Sequence, residues 1–210
     1  MRFAKRPTWV RRVLLRPVAR PRLPGGGRVA LTFDDGPDPV HTPSVLTRLR
    51  AAGTTGTFFL VGERAAAAPD VVGRVVADGH AIGNHTFTHP RLKWWDFRAA
   101  GREVARCEAL LSELAPSQSR WFRPPFGRLT PGLWAAARKQ GLRVVTWSLD
   151  SGDWRCRSAT DAAACAAEVL ALVRPGDTVL FHDDHPWAGP ILDIVLPVLA
   201  DRGLGRVDRS

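Results

Sequence analysis

Two histidines separated by three residues indicate a metal site. His85 and His89 lie in the stretch GNHTFTHP at positions 83–90. Four-residue spacing lets two imidazoles converge on one ion, either in a helical turn or in a tight loop. A third ligand is needed, and the adjacent carboxylates Asp34 and Asp35 could supply it. Two imidazoles and one carboxylate leave positions open for water and substrate, as in catalytic zinc sites, so the pattern predicts a catalytic metal centre.

The Asp34-Asp35 pair has a structural interpretation and a chemical one. The stretch DDGPDP at 34–39 is rich in turn-forming residues, and an Asp often caps the helix that follows a turn. Capping accounts for Asp38. Consecutive side chains diverge, however, so Asp34 and Asp35 cannot both cap one helix. One carboxylate as a metal ligand and the other as a general base accounts for both.

The elements that must position these residues follow from hydrophobic periodicity. Short apolar runs alternate with longer segments of helical pattern. The predicted strands are Val29–Phe33, Thr57–Val61, His80–Gly83, Arg120–Phe122, Arg143–Ser148 and Thr178–Phe181. The predicted helices cover 43–52, 63–78, 92–114, 130–140, 159–173 and 190–202. This alternation predicts a mostly parallel sheet covered by helices, either an open doubly wound sheet or a barrel.

Every candidate catalytic side chain comes just after a predicted strand. These residues follow the first, third, fourth, fifth and sixth strands, and they are Asp34, Asp35, His85, His89, Arg123, Asp150, Asp153 and His182. Parallel α/β folds build their sites at the C-terminal ends of the strands. The sequence therefore predicts that these side chains meet at one face of the sheet.

The basic character of the chain is confined to its N-terminus. The 210 residues suit one domain, and the formal charge is +10. Residues 1–28 hold nine of the 30 Lys and Arg residues and no acid, so the remainder carries 21 basic against 20 acidic groups. We expect a basic, partly disordered arm over 1–27 and a folded catalytic domain over 28–210, joined at the Gly-rich stretch 24–27. A neutral body without a binding motif argues against nucleic acid as a partner.

The composition also bears on location. The sequence has no run of 18 apolar residues, so we expect no membrane-spanning helix. Arginines interrupt the apolar stretches of the arm, which therefore lacks the 7–15 consecutive apolar residues of a secretory signal. We expect a cytoplasmic monomer, with peripheral binding to the inner membrane through the arm as the alternative. Tyr is absent, which excludes a mechanism that needs a phenol.

Several other residues are expected to be structural. Three cysteines at irregular spacing do not indicate a disulfide framework, and Cys107 is predicted to be a core residue. Cys156 and Cys165 are close enough in sequence to form a disulfide if the protein is in an oxidising compartment. His80 is predicted to be a core histidine. The tryptophans at 94, 95 and 134 are predicted to pack helices against the sheet, and Arg102, Glu103 and Arg106 to form a solvated helix face. His185 lies in a loop that could border a substrate groove.

Five motifs, in order, resemble those of the polysaccharide deacetylases, the nodulation-type deacetylases of carbohydrate esterase family four. The resemblance extends from about residue 28 to residue 200 and is greatest to the chitooligosaccharide deacetylases. The motifs are TFDDGP at 32–37, HTFTHP at 85–90, RPPFG at 123–127, DSGDW at 150–154 and LFH at 180–182. The resemblance implies a distorted (β/α) barrel of about six or seven parallel strands. It also implies metal-dependent removal of N-acetyl groups from N-acetylglucosamine-containing glycans such as chitooligosaccharide or peptidoglycan.

The resemblance assigns roles to individual residues. Asp35, His85 and His89 would hold a divalent metal, most often Zn, with Co, Ni or Fe as alternatives. Asp34 would be the general base, paired with Arg123, and His182 the general acid, hydrogen-bonded to Asp153. Candidate substrate-binding residues are Phe126, Gly127, Trp154, Leu180 and Trp187. Phe126 stands where the family usually has Tyr. The replacement keeps the backbone N–H that would bind the oxyanion, but it removes the side-chain hydroxyl. Trp154 and Leu180 would line the acetyl pocket, and Trp187 is a candidate sugar platform because of its position in a loop.

Other functions use part of the same pattern. A two-His-one-carboxylate iron oxygenase would share the ligand set but leave Arg123, Asp153 and His182 without a role. A carbohydrate-binding protein derived from a deacetylase would be expected to lack the base or a ligand, and both are present. The protein could also be a deacylase that acts on a glycolipid, since an N-acetylated glycolipid would present the same acetamide to the same residues.

Overall fold

The computed structural model describes residues 11–12 (backbone only), 27–116 and 121–205. The strands are β1 (Arg11–Arg12), β2 (Ala30–Asp34), β3 (Gly56–Leu60), β4 (Ala81–Asn84), β5 (Trp121–Phe122), β6 (Arg143–Val144), β7 (Leu149–Asp150) and β8 (Thr178–His182). The helices are α1 (His41–Ala51), α2 (Gly62–Ala67), α3 (Pro69–Ala77), α4 (Phe97–Leu114), α5 (Pro131–Lys139), α6 (Ala159–Leu172) and α7 (Ala188–Asp201).

Seven parallel strands form a curled half-barrel in the order β7-β8-β2-β3-β4-β5-β6. The predicted parallel α/β fold is confirmed. β6 and β7 are the two ends of the parallel run, and within the described residues no ladder joins them. The barrel is therefore open on one side.

The predicted strand Arg143–Ser148 is wrong in its second half. Only Arg143–Val144 belongs to β6, and Leu149–Asp150 forms the separate strand β7. The N–H of Val145 donates to Phe122 on one side of the opening, whereas the N–H of Ser148 donates to Thr178 on the other. One apolar run therefore crosses the opening and contributes to both edges, and its sequence pattern resembles that of a single strand.

The predicted helix 63–78 is two helices, and the predicted helix 92–114 begins later. The break between α2 and α3 lies at Ala68, whose φ of −137° and ψ of 59° are not helical. Pro69 follows it, and a proline disfavours the helical conformation in the preceding residue. The segment 91–96 is not helical, because α4 begins only at Phe97.

Two hydrophobic clusters hold the helices on the outside of the sheet. In the larger one, side chains of β2, β3 and β8 pack against α1, α3, α6 and α7. In the smaller one, Phe122 and Val144 pack against α4 and α5. Alternation along each strand sends the intervening side chains, such as Asp34 and His182, to the inner face. Burial of the outer face therefore fixes which residues line the inside of the half-barrel.

Two residues of the predicted arm take part in the sheet. β1 pairs antiparallel with Leu149–Asp150 at the edge of β7. The remainder of the prediction for the arm lies outside the described residues. None of the helices that the structure describes combines the length and the apolar character needed to cross a bilayer. The three cysteines are buried free thiols.

Candidate metal centre and active site

The strand register brings the predicted site residues to one end of the half-barrel. Asp34, the last residue of β2, lies opposite His182, the last residue of β8. At the ends of β4 and β5, the N–H of Arg123 donates to the carbonyl of Asn84 at 3.0 Å. The N–H of His85 donates to Leu60 at the end of β3, also at 3.0 Å. The strands therefore end at one level, and the loops that follow them face each other.

Asp35, His85 and His89 converge on one point. Asp35 Oδ1 lies 3.3 Å from His85 Nε2 and 3.2 Å from His89 Nε2. His85 Nδ1 lies 2.8 Å from the carbonyl oxygen of Arg123. Since a carbonyl can only accept, Nδ1 carries the proton, and Nε2 keeps its lone pair toward Asp35.

This donor set fits a divalent cation. Asp35 Oδ1 is buried and has no hydrogen-bond partner. Burial opposes ionisation of Asp35, but the charges of the neighbouring imidazoles of His85, His182 and His89 outweigh it and lower the pKa of the carboxyl. Burial also opposes a positive charge on His85, yet the charges of Asp34 and Asp35 raise the pKa of this imidazole. A pocket that favours positive charge and offers imidazole nitrogen and carboxylate oxygen suits a transition metal such as Zn.

The backbone around this cluster is unusual. Four non-glycine residues have a positive φ in the described part of the chain, namely Asp35 (73°), Thr86 (68°), His89 (54°) and Phe126 (56°). L-residues rarely adopt this left-handed conformation, and such strain collects at functional sites. Two of the four are candidate metal ligands, and the others adjoin the cluster. The packing and hydrogen bonds around the cluster therefore hold these residues in a conformation that their own backbone preferences disfavour.

The loop that carries both histidines is held by Glu103 of α4. One carboxylate oxygen of Glu103 accepts the N–H groups of Phe87 at 2.9 Å and Thr88 at 2.7 Å, and the other accepts the Thr88 hydroxyl at 3.0 Å. The guanidinium of Arg106 lies 3.6 Å from the centre of the Phe87 ring. The predicted solvated face is confirmed for Arg102 and Arg106, which are exposed, and is wrong for Glu103, which is half-buried against the loop. Sequence reasoning missed the role of Glu103 because its partners lie on another segment of the chain.

Asp34 is paired with Arg123 inside the half-barrel. Arg123 is fully buried, and its Nη1 donates to Asp34 Oδ1 at 2.7 Å and to Thr32 Oγ1 at 2.8 Å. Its Nη2 donates to the carbonyl of Thr146 at 3.0 Å, and the guanidinium lies 4.0 Å from the centre of the Phe59 ring. Asp34 Oδ2 is 3.7 Å from His85 Nε2. Arg123 thus fixes one carboxylate oxygen and leaves the other directed at the histidine cluster.

Asp153 forms a second polar centre with His182. The carboxylate is fully buried and accepts from His182 Nδ1 at 2.8 Å, from the His182 N–H at 2.7 Å and from the Trp154 N–H at 2.9 Å. Burial disfavours the imidazolium, but the charge and hydrogen bond of Asp153 outweigh it and raise the pKa of His182 to about 10. Because Nδ1 is held by Asp153, Nε2 is the atom that remains for a reacting group.

The candidate oxyanion loop, residues 123–127, lies beside the cluster of candidate metal ligands. Phe126 is half-exposed, and its ring centre is 4.5 Å from that of His89. The guanidinium of Arg91 lies 4.0 Å from the same ring. Gly127 has a φ of +64°, and a Cβ there would lie 2.7 Å from Trp147. The RPPFG motif therefore requires glycine at this position for both backbone and space.

The remaining substrate candidates occupy different environments. Trp154 is half-exposed in the turn after β7, and Leu180 is buried on the strand β8 in the same alternation as His182. Trp187 is half-buried and packs against the larger hydrophobic cluster. The predicted substrate roles of these residues stay predictions.

The packing predicted for three tryptophans is wrong. Trp94 and Trp95 are 67% and 62% exposed and Trp134 is 42% exposed. In the non-helical segment 91–96, Leu92 packs against the smaller cluster instead. His80 is buried, as predicted, and its Nδ1 accepts the N–H of Gly56 at 3.2 Å, whereas its Nε2 has no hydrogen-bond partner.

Comparison with known proteins agrees with this geometry. A peptidoglycan-N-acetylglucosamine deacetylase from Bacillus cereus is 35% identical over 83% of this chain and 64% of its own length. A chitooligosaccharide deacetylase from Sinorhizobium fredii is 40% identical over 77% of this chain and 74% of its own length. The solved structure of a peptidoglycan N-acetylglucosamine deacetylase superposes with a TM-score of 0.78 and 33% identity, covering 90% of this chain and 89% of that one. The family model described as polysaccharide deacetylase matches residues 23–145, and the chain belongs to that family.

Proposed function

We propose that this protein is a metal-dependent hydrolase that removes N-acetyl groups from N-acetylglucosamine-containing oligo- or polysaccharides. The observation that carries the proposal is the cluster of Asp35, His85 and His89 beside the Asp34–Arg123 pair and the Asp153–His182 pair. The three clustered residues would hold a divalent ion, for which we propose Zn. When bound, such an ion polarises a carbonyl and lowers the pKa of water.

The protein's own residues perform the proton transfers of amide hydrolysis. Asp34 accepts a proton from the attacking water, and Arg123 fixes the orientation of its carboxylate. The water oxygen forms a bond to the acetyl carbon, and the backbone N–H of Phe126 helps to stabilise the oxyanion. His182 Nε2 then donates a proton to the amine nitrogen as the C–N bond breaks and acetate leaves. Asp153 holds the imidazole for this step through Nδ1.

The substrate class follows from the acetamide chemistry and from the relatives. Two relatives are named for chitooligosaccharide and for peptidoglycan N-acetylglucosamine, which share the same N-acetylated sugar. Leu180 and Trp154 are suited to contact the acetyl methyl, because one supplies buried aliphatic surface and the other an accessible indole. We therefore propose N-acetylglucosamine as the sugar that enters the site.

Acetate release from defined N-acetylated glycans tests the proposal. Activity should vanish after chelation and return with Zn or Co. His85→Ala should lose the bound metal, whereas Asp34→Asn should retain it and lose turnover. His41→Gln is a suitable control, because His41 is a half-buried histidine outside the cluster. Full activity in a metal-free preparation would contradict the mechanism, and glycan binding without acetate release would indicate a carbohydrate-binding protein instead.

A further inference from the structure

A second group of one carboxylate and two histidines contains the Asp153–His182 pair. Asp153, His182 and His185 place their ligand atoms within 4.8 Å of one another. His185 lies in the loop between β8 and α7, and its side chain is 17% exposed. Its Nε2 is buried and has no hydrogen-bond partner, although it lies 3.4 Å from Asp153 Oδ2. The proposed reaction steps give this histidine no role.

The partner of the other ring nitrogen decides what His185 can do. His185 Nδ1 accepts the backbone N–H of Trp187 at 3.1 Å. A nitrogen that accepts an N–H must carry a lone pair, so the proton of the neutral ring lies on Nε2. Protonating Nδ1 would set two N–H donors against each other. His185 therefore presents a donor to Asp153.

The two histidine clusters are hydrogen-bonded in opposite ways. In His85 the Nδ1–H donates to a backbone carbonyl, which leaves a lone pair on Nε2 for a cation. In His185 the Nδ1 accepts from a backbone N–H, which leaves a proton on Nε2 for a carboxylate. The same residue types thus form a cation site in one place and a hydrogen-bond network in the other.

We propose that His185 is a positioning residue for the general acid and acts through Asp153. Its neutral ring donates Nε2–H to Asp153 Oδ2, while His182 occupies Oδ1 and the N–H of Trp187 fixes the tautomer. The hydrogen bonding of His185 is independent of the proposed function, whereas its effect on the reaction rate rests on that function. The 3.4 Å contact is within hydrogen-bond distance but poorly aligned, and catalytic hydrogen bonds in apo structures are often poorly aligned until substrate binds.

The kinetic consequence is a change in how readily His182 releases its proton. Four carboxylates face His182 or interact with its charge, namely Asp34, Asp35, Asp150 and Asp153. Only Asp153 contacts His185. Oδ2 already accepts the His182 N–H at 2.7 Å, and a second donor there draws further negative charge away from Oδ1, so the imidazolium held by Oδ1 is less stabilised and transfers its proton more easily.

The pH dependence of kcat and kcat/KM for a chitooligosaccharide tests this role. His185→Leu removes both ring hydrogen bonds and should lower kcat about tenfold, with KM changed less than about twofold. Its alkaline limb should move up by about half a pH unit. His185→Gln keeps a donor near the position of Nε2 and should recover most of kcat and of the pH profile. His41→Leu is the matched control and should leave both unchanged.

Nitrogen-15 NMR of histidine-labelled protein tests the tautomer without activity. His185 should appear with its proton on Nε2 in wild-type protein, and the Nδ1–H form would overturn the proposal. Zinc titration should find one site in wild-type protein. A second site that is lost in His185→Leu would instead make the cluster a metal site and refute the inference. If wild-type protein releases acetate but the pH profile of His185→Leu is unchanged, the role of His185 is refuted and the proposed function stands. If wild-type protein releases no acetate, the proposed function is refuted, and the NMR result still decides the tautomer of His185.

Discussion

The buried Arg123–Asp34 pair allows stability and catalysis to be separated. Both side chains are almost wholly buried, with exposures of 0% and 4%, and their charged atoms are 2.7 Å apart. We consider Arg123→Met, which keeps a long apolar side chain against the Phe59 ring and removes the charge. Asp34 is then left as a buried carboxylate without its counter-charge. Breaking a buried pair in this way costs about 3–5 kcal/mol.

The other contacts of Arg123 add little to this cost. Thr32 Oγ1 keeps the hydrogen bond that it donates to Val179, so it is not left unsatisfied. The carbonyl of Thr146 loses its donor, which costs about 1 kcal/mol. The expected loss is therefore about 4–6 kcal/mol. Domains are stable by about 5–15 kcal/mol, so this loss is a large fraction of the total and the variant should unfold at much lower denaturant than wild type.

Urea denaturation in the presence of a chelator measures this loss. The double variant Arg123→Met, Asp34→Asn removes the buried charge as well and should recover most of the stability, although neither variant should release acetate. Saturating Zn should reduce the loss in the single variant, because a cation near Asp34 replaces part of the missing positive charge. A loss below about 1 kcal/mol would refute the reasoning, since that is the range of exposed pairs. A double variant no more stable than the single one would refute it as well.

Four further changes have distinct expected results. Burial opposes the charge on His182 but Asp153 outweighs it and raises its pKa to about 10, so Asp153→Asn should move the alkaline limb of kcat to lower pH and slow acetate release. Gly36→Ala places a Cβ in collision with the buried Asp183 carboxylate and should lower the free energy of unfolding in urea by about 1–3 kcal/mol. Burial raises the pKa of Asp183 to about 7, so the folded state holds a proton that the unfolded state has released, and wild-type stability falls as the pH rises toward 7. Asp183→Asn lacks this loss, and its stability relative to wild type should increase between pH 5 and 8. Deleting residues 1–10, which leaves β1 on the edge of β7, should preserve acetate release and weaken any salt-sensitive binding to anionic vesicles.

The convergence of the candidate residues at one end of the sheet could be predicted because strand direction is a global property. Apolar runs identified the strands, and parallel strands end on the same side of a sheet, so residues after different strands had to meet. Asp34 and His182 are 148 positions apart in the chain and lie opposite each other in the structure. This part of the prediction needed no contact information.

Tertiary partners could not be predicted in the same way. Glu103 has the periodicity of an exposed helix face, and only the approach of the loop at 85–89 turns its carboxylate into a receptor for backbone N–H groups. The run at 143–148 has the composition of one strand, and only the opening of the half-barrel divides it between two edges. Hydrophobic periodicity predicts which side of a segment faces the core. It does not predict which other segment of the chain packs on the opposite side.

The left-handed residues of the site run against local preference altogether. Glycine would adopt the conformation of Asp35 and His89 without strain, whereas an L-residue pays about 1–2 kcal/mol. Glycine has no ligand atom, however, so the proposed chemistry requires side chains where the backbone favours none. Hydrogen bonds to the histidine loop supply compensation there: the side chain of Asn84 accepts the N–H of Thr86 two residues on, and Glu103 of α4 accepts the N–H groups of Phe87 and Thr88. The strain is therefore stable only in the folded context, and sequence propensity is least informative at the residues on which the proposed reaction depends.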